Sequence, residues 1–207
     1  LGDHPNLHLG LRRQLQMVIR DISLVSDEPD RKIIFDGIEY PHIFNYHKRS
    51  IVATSHSKDL ALPGERIGYI AVNPDCPDVE EILDGLVFCN RILGFVNAPA
   101  LIQYLVAHLQ GTTIDVGVYE KKRDYLYKAL TDMGYSLIKP QGAFYMFPKS
   151  PTEDDVQFTE ELKGNRVLVV PGRGFGLPGY FRISYCLDDA TIEGSLSGLG
   201  KAISAYK

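Results

Sequence analysis

The stretch SIVATSHSKDLALPGERIGYIAVNP, residues 50–74, decides the fold prediction. Its apolar ends, Ser50–Thr54 and Ile67–Val72, predict two strands of a sheet, because short apolar runs bounded by turn residues are typical of buried strands. The polar, turn-rich connection between them carries Lys58 and Arg66. An amine and a guanidinium held at the edge of a sheet suit a site that binds an anion next to a reactive amine.

The composition narrows the class of protein. The 207 residues are 44% hydrophobic and 23% charged, which is ordinary for a globular protein, and the formal net charge is -4. This charge, without any Lys/Arg block, disfavours a nucleic-acid partner, and no apolar run approaches the roughly 20 residues that span a bilayer, so no membrane partner is expected either. Three widely spaced cysteines, Cys76, Cys89 and Cys186, fit free thiols in a reducing compartment, which predicts a cytoplasmic protein.

Apolar periodicity along the rest of the chain predicts an α/β protein. Ile22–Val25 is a compact apolar run that predicts a buried parallel strand, and Asp27 follows at its carboxyl end. A spacing near 3.6 predicts helices at 11–20, 79–90, 99–110 and 116–133, the last ending at Gly134. Short strands are predicted at 33–35, 136–139, 143–148, 167–170 and 180–186, with helices at 154–163 and 188–206. The part beyond Gly134 therefore predicts an α+β lobe.

Several side chains suit a phosphorylated, carbonyl-bearing ligand. A lone lysine is ordinarily a solvated surface residue, but the cation Arg66 would lower the pKa of Lys58 and favour the free amine. Ser55 and Arg66 together suit a phosphate group. Asp27 either caps a turn or, as a buried carboxylate, keeps a heteroaromatic ring nitrogen protonated, as expected for a pyridoxal phosphate pyridinium. Arg182 either forms an internal salt bridge or binds a substrate carboxylate, and both interpretations stay open at this point.

Two other patterns predict no site. His4 and His8 are four residues apart but lack a third ligand, so no metal site is predicted. The GFGLPG segment, residues 174–179, matches G-x-G-x-x-G, but it precedes a strand instead of opening a helix, and Pro178 interrupts it. A dinucleotide-binding role is therefore not expected.

Five motifs, in order along the chain, resemble those of the class I/II aminotransferases, pyridoxal-phosphate enzymes of the aspartate aminotransferase superfamily (fold type I). Segments 55–58 and 62–69 resemble the family signature S-x-S-K-x-x-x-L-P-G-x-R-x-G-Y. Residues 26–29 resemble the S-D-E-x-Y strand end, and segments 142–145 and 181–185 resemble motifs of the small domain. The resemblance runs from about Ile22 to the C-terminus, about nine-tenths of the chain.

The resemblance implies an α/β fold in which later strands of a transferase large domain are followed by a complete α+β small domain. Residues 1–115 would form a partial large, cofactor-binding domain, 116–134 a bridging helix, and 135–207 the small C-terminal domain. The family's glycine-rich phosphate turn and the aromatic residue that stacks on the cofactor are not found. The chain is therefore expected to represent the C-terminal part of such an enzyme, truncated at its N-terminus.

The resemblance also implies roles for individual residues. Lys58 would be the Schiff-base lysine of pyridoxal 5'-phosphate and would move a proton during the reaction. Asp27 would pair with the ring nitrogen, Ser55 and Arg66 would hold the phosphate, and Arg182 would bind the substrate α-carboxylate. The reaction would transfer an amino group from an amino acid to a 2-oxo acid. A homodimer is expected, since sites of this family are built across a dimer.

Two alternatives remain open beside transamination. The chain could be a degenerate, non-enzymatic scaffold of the same fold, or another fold-type-I enzyme such as a carbon–sulfur lyase or a decarboxylase. Asp30 departs from the family pattern, which usually has a tyrosine at that position. Little cofactor binding and little or no activity are expected of the isolated chain, because half of the family's site is not found. The sequence as a whole most resembles aspartate-type enzymes of the family. The resemblance does not determine which amino acid is the donor.

Overall fold

A computed structural model of the chain describes residues 22–94 and 96–206. Contacts divide these residues into two compact units, the first with 22–32 and 39–114, the second with 33–38 and 115–206. The helix predicted at 11–20 and the His4/His8 pair lie outside the described residues. In the part that the structure describes, no helix is both long enough and apolar enough to cross a membrane.

The first unit contains a three-stranded sheet in the order β1-β2-β3, formed by Leu24–Asp27, Ser50–Ser55 and Gly68–Val72. β1 runs parallel to β2, and β3 runs antiparallel to it. The strands predicted at 50–54 and 67–72 are confirmed to within one residue. The prediction that the first strand is buried is wrong, because β1 lies at an edge of this sheet and Leu24 and Val25 are 36% and 67% exposed.

Helices follow the sheet in the first unit. The short helix α1, His56–Asp59, begins where β2 ends, and a 3-10 turn, Pro63–Glu65, leads toward β3. The longer helices α2 and α3 span Val79–Ile92 and Ala100–His108, which confirms the helices predicted there to within two residues. A small apolar core joins α3 to the sheet through Ile67, Ile102 and Val106.

The second unit is organised around the helix α4, Val116–Met133, whose predicted limits are confirmed. The Asp115 side chain caps its start by accepting a hydrogen bond from the Gly117 amide at 3.0 Å. Gly134 ends it in the left-handed conformation, with φ of 95°, which a glycine adopts without steric cost.

The rest of the second unit is an antiparallel sheet with two helices. Its order is β4-β6-β5, formed by Tyr145–Met146, Phe181–Ser184 and Val170–Pro171, and the helices are α5, Asp155–Gly164, and α6, Asp189–Ser204. The α+β character predicted for this part is confirmed, although the strands are shorter than predicted.

Two short strands predicted in this unit do not form. Residues 136–139 form no strand: their burial alternates as in a strand, with Ile138 89% exposed, but they are in no strand pairing with the described residues. The Ser136 carbonyl accepts a hydrogen bond from the Lys149 amide at 2.8 Å. Residues 33–35 form only an isolated antiparallel bridge, between Ile34 and Gly142.

A fully buried arginine joins the 33–38 segment to α4. The Arg123 guanidinium donates to both carboxylate oxygens of Asp36 at 2.6 and 2.8 Å, to Asp124 at 2.9 Å and to the Pro140 carbonyl at 2.9 Å. It also lies 4.7 Å from the centre of the Phe35 ring. This charge is therefore balanced within the unit and has a structural role that the sequence did not indicate.

Candidate functional site

The predicted cofactor residues of the first unit lie at one edge of its sheet. Asp27 is the last residue of β1 and is paired with Ala53 of the parallel strand β2, whose last residue is Ser55. The Asp27 side chain is exposed, so the buried carboxylate expected from the sequence is not observed. The Glu28 amide donates to the Ala53 carbonyl at 2.8 Å, and the Thr54 hydroxyl donates to the Glu28 carbonyl at 2.9 Å. The carboxyl ends of parallel strands commonly form ligand sites in open α/β sheets, and Asp27 and Ser55 are the last residues of two such strands.

Lys58 lies on α1, immediately beyond this edge. Ser55 precedes the helix in an extended conformation, and the chain turns back at once, with the Leu62 amide donating to the His56 carbonyl at 3.2 Å. The Lys58 side chain is half-buried. The amine is thus held on a short, tightly turned segment that begins where the strand ends.

Asp59 anchors the segment that carries Lys58. Its side chain is buried, lies 2.9 Å from Lys32 Nζ and 3.3 Å from His56 Nδ1, and its carbonyl accepts from the Ile114 amide at 2.9 Å and the Thr113 hydroxyl at 3.1 Å. Sequence reasoning missed this residue, because an acid directly after a lysine has the same pattern whether it is buried or exposed.

Arg66 reaches the same edge from the other side of the turn. It occupies the left-handed region with φ of 50°, and its guanidinium donates to the Pro63 carbonyl at 2.9 Å. Gly68 then pairs with Ser55. A Cβ atom on Gly68 would lie only 2.4 Å from the Thr54 carbonyl oxygen, so this close pairing requires a glycine.

A groove of about 890 Å³ opens beside Arg66 in the first unit. The polar side chains of Arg66, His56 and Gln103 line it together with apolar residues of α2 and α3. Arg66 is the cationic residue among the lining side chains. Asp27, Ser55 and Lys58 do not line this groove, so among the predicted cofactor residues it is bordered by Arg66 alone.

Asp30 joins this group of residues, although its role was not predicted. The side chain is half-buried, and its Oδ1 atom is buried without a hydrogen-bond partner in the described part of the chain. Burial raises the pKa of the Asp30 carboxyl, the positive charge of Lys58 opposes that rise, and the negative charge of Asp27 adds to it. Asp27, Asp30 and Lys58 thus form one electrostatic cluster.

Arg182, the predicted carboxylate ligand, belongs to the second unit. It lies on β6, half-buried, with its guanidinium carbon 4.6 Å from the centre of the Tyr145 ring and 4.0 Å from that of Phe175. Among residues 22–94 and 96–206, no carboxylate lies within ion-pair distance of it. The internal salt bridge that the sequence left open is therefore not observed in that range, and the aromatic rings hold the cation in place.

The comparisons with known proteins show the family. Residues 20–199 match the model of the class I and II aminotransferases. The chain is 34% identical to a probable aspartate aminotransferase of Methanocaldococcus jannaschii, over 85% of this chain and 48% of that protein. It is 29% identical to aromatic-amino-acid aminotransferase 2 of Thermococcus litoralis, over 92% of this chain and 51% of that protein.

A solved structure agrees with these relatives. The crystal structure of an aminotransferase from Eubacterium rectale is 41% identical and superposes with a TM-score of 0.88, over 95% of this chain and 50% of that one. The chain therefore belongs to the class I and II aminotransferases, a pyridoxal-phosphate-dependent family, and has part of their transferase fold. It spans about half the length of the relatives that it matches.

The donor set at the sheet edge fits pyridoxal phosphate chemically. Lys58 offers an amine for a carbonyl carbon, Ser55 and Arg66 offer a hydroxyl and a guanidinium for a phosphate, and Asp27 offers a carboxylate for a ring nitrogen. Asp30 adds a further acceptor: its Oδ1 atom is buried and has no hydrogen-bond partner among the described residues. These residue assignments remain predictions. No group of three or more metal-ligating side chains occurs within the described ranges.

Proposed function

We propose that this chain carries the lysine-bearing part of an enzyme that transfers an amino group from an amino acid to a 2-oxo acid with pyridoxal phosphate as cofactor. The observation that carries the proposal is the gathering of Asp27, Ser55, Lys58 and Arg66 at one edge of a sheet, in a chain that belongs to the aminotransferase family. Bound there, pyridoxal phosphate would supply a carbonyl carbon and an electron-withdrawing ring.

The residues of the chain would do the remaining work. Lys58 binds the cofactor through Nζ and then accepts and returns a proton at that atom. Asp27 keeps a ring nitrogen protonated because its carboxylate favours the cationic form. Ser55 and Arg66 hold a phosphate through a hydroxyl and a charge-assisted guanidinium contact.

We propose that Arg182 binds the α-carboxylate of the substrate. Tyr145 and Phe175 flank its guanidinium, and a planar guanidinium held in this way can bind a carboxylate through two parallel hydrogen bonds. The amino donor stays open, since relatives named for aspartate and for aromatic amino acids match to a similar extent. An aspartate-like donor is one candidate, since one of these relatives is named a probable aspartate aminotransferase.

The proposal extends to the domains and the assembly. Residues 1–115 would belong to the large domain, 116–134 would be a bridging helix, and 135–207 would form the small domain. By contacts, residues 33–38 and α4 both group with the second unit.

We also propose that the chain forms a homodimer in the cytoplasm. An apolar face of α3 supports association, since Leu101, Tyr104 and Leu105 are exposed at a helical spacing of three and four residues.

A comparison of two aldehydes tests the predicted phosphate contacts. The purified chain is incubated with pyridoxal phosphate or with pyridoxal, reduced with borohydride, and the label on each lysine is measured by peptide mass spectrometry. We expect Lys58 to take up pyridoxal phosphate about tenfold more than pyridoxal, because one charge-assisted contact contributes roughly 1.5 kcal/mol. Arg66→Ala should reduce this preference, with Ser55 left as the remaining phosphate contact, whereas Arg91→Ala, which alters an exposed arginine of α2, should leave it unchanged. Equal labelling by both aldehydes would contradict the proposed site.

The reaction itself is tested by following nitrogen. With excess pyridoxal phosphate, a 15N-labelled amino acid and an unlabelled 2-oxo acid, the proposal predicts 15N in the new amino acid, even if fewer than one turnover occurs per site. Lys58→Ala should remove this product. Release of 15N as ammonia would support a carbon–sulfur lyase instead, and release of carbon dioxide a decarboxylase. Absence of any label on Lys58 after reduction under saturating pyridoxal phosphate would support the scaffold alternative.

A further inference from the structure

The turn that follows β5 is fixed to the first residue of α5. The Asp155 side chain is fully buried and accepts two hydrogen bonds from Arg173, one from Nε at 2.7 Å and one from the backbone amide at 2.8 Å. The Arg173 Nη2 atom also lies 3.2 Å from Asp154 Oδ1. Because one carboxylate binds both the side chain and the main chain of Arg173, it fixes the position of the backbone there as well as that of the guanidinium.

The same turn is also closed by its own backbone. The Gly172 amide donates to the Tyr180 carbonyl at 2.8 Å, and the Leu177 amide donates to the Gly172 carbonyl at 3.0 Å. A Cβ atom on Gly172 would lie only 2.3 Å from the Leu177 carbonyl oxygen, so this close approach requires a glycine. The GFGLPG segment, residues 174–179, therefore belongs to a turn of defined shape that is anchored next to Arg173.

Phe175 lies in this turn and contacts Arg182. The centre of its ring is 4.0 Å from the guanidinium carbon of Arg182. The ring also meets that of Phe147 edge to face, with the two centres 5.7 Å apart. Arg182 itself is held on β6, where it is paired with Val170 of β5. A displacement of the turn would therefore remove the aromatic contact while leaving the backbone of Arg182 in the sheet.

We propose that Asp155 is a positioning residue for the guanidinium of Arg182. Asp155 holds Arg173, and the turn fixed in this way places Phe175 against the guanidinium of Arg182. That planar group is thus oriented before a carboxylate arrives, and a group ordered in advance loses less conformational freedom on binding. The inference rests on the proposed function for the identity of the ligand, whereas the positioning itself is measured without one.

NMR of the Arg182 side chain measures this positioning directly. The chain is labelled with 15N-arginine, and the Arg182 Nε–H signal is identified as the one lost in Arg182→Lys. Guanidinium protons stacked on an aromatic ring resonate upfield, so Phe175→Leu should move this signal downfield. Asp155→Asn should move it in the same direction, because an uncharged acceptor holds Arg173 less strongly and lets the turn shift. A signal that Phe175→Leu leaves in place would contradict the proposal.

Two further variants separate positioning from a merely structural role. Glu160→Gln is the matched control, because it neutralises a carboxylate of the same helix whose pair with Lys163 is exposed, and it should leave the Arg182 signal unchanged. Arg173→Gln alters a half-exposed side chain, so it tests the link even if Asp155→Asn fails to fold. A merely structural role would lower the unfolding temperature without moving the Arg182 signal. An unmoved signal in Arg173→Gln, or in folded Asp155→Asn, would overturn the proposal.

Titration with acetate, a probe with a carboxylate and no other polar group, distinguishes this inference from the proposed function. At an ionic strength kept constant with chloride, acetate should shift the Arg182 signal of the unaltered chain in a saturable way. Asp155→Asn should weaken that binding about two- to tenfold, because the guanidinium must then be ordered as the carboxylate binds. Equal acetate affinity in both chains would refute the inference alone. An Arg182 signal that moves in Asp155→Asn but never responds to acetate would refute the proposed role of Arg182 and leave the positioning intact.

Discussion

Two arginines of the second unit differ in their surroundings, and this difference suggests different roles. Arg123 is fully buried and surrounded by acids, with Asp36 and Asp124 both within 3 Å of its guanidinium. Arg182 is half-buried, lies between aromatic rings and has no described acid as an ion-pair partner. The first cation is already neutralised by the protein, whereas the second is the one that we propose binds the substrate carboxylate.

The structural role of Arg123 predicts a large loss of stability on substitution. Arg123→Met should lower the free energy of unfolding by about 1–2 kcal/mol, because it removes the donor to the Pro140 carbonyl and the charge-assisted hydrogen bonds to Asp36 and Asp124. The matched control is Lys128→Met, which removes an exposed i,i+4 pair with Asp132 and should cost less than about 0.5 kcal/mol. Urea denaturation measures both, and equal losses would contradict this assignment.

The same network predicts a pH dependence. The Arg123 side chain holds the pKa of Asp36 below its ordinary value of 3.8. A lowered pKa contributes stability above the ordinary value, and that contribution is lost as the pH falls through the lowered one. The difference in stability between the unaltered chain and Arg123→Met should therefore be largest near neutral pH and shrink in acid below pH 3.8. A difference that is constant from neutral pH into acid would argue against the ion pair.

At the scale of secondary-structure elements, predictions succeeded where local signals determine the structure. The limits of α4 follow from the Asp115 cap and the Gly134 stop, and β2 and β3 are bounded by turn residues. Predictions failed where the outcome depends on distant contacts. The apolar run at 136–139 does not become a strand. β1 is exposed and lies at the edge of the sheet, a position that its own residues do not reveal.

Some residues of the candidate site could be predicted from sequence, and others could not. Ser55, Lys58 and Arg66 lie within twelve residues of one another, so their motif could be found from sequence. Asp59 and Asp30 could not be assigned in advance, because the burial of one and the electrostatic link of the other to Lys58 exist only after the chain has folded. Whether these residues act as proposed is a question that the experiments above address.

The pairing of β2 with β3 predicts a requirement for glycine at position 68. Gly68→Ala should cost about 2–3 kcal/mol, because the new methyl group would meet the Thr54 carbonyl oxygen at 2.4 Å and push the two strands apart. Gly64→Ala is the matched control: a Cβ there has no neighbour within 4 Å, so its effect should stay within about 0.5 kcal/mol. Thermal unfolding measures both variants, and similar unfolding temperatures would show that the strand pairing is less tight than described.

At the scale of the whole molecule, the predicted site residues are distributed over two compact units. The first unit contains Asp27, Ser55, Lys58 and Arg66, and the second contains Arg182. The chain spans about half the length of its relatives, so its activity by itself is a proposal and not a consequence of family membership. The apolar side chains exposed on α3 add a reason to expect association.

The proposed homodimer predicts a concentration-dependent mass. Sedimentation equilibrium should give twice the 23.2 kDa of one chain, because association would bury the exposed face of α3. Leu101→Lys, at a position that is 81% exposed, should shift the chain toward the monomer, since it places a charge in that face. Ile138→Lys, at a position in the second unit that is 89% exposed, is the control and should not. A monomer at all concentrations would contradict the proposed assembly.

The central claim, that Lys58 binds pyridoxal phosphate, is tested most directly by reduction and mapping. The purified chain is saturated with pyridoxal phosphate, reduced with borohydride and digested, and the label on Lys58 is compared with that on the exposed Lys128. The account predicts label concentrated on Lys58 and absent from that position in Lys58→Arg. Label spread evenly over both lysines, or found on Lys128 alone, would contradict it.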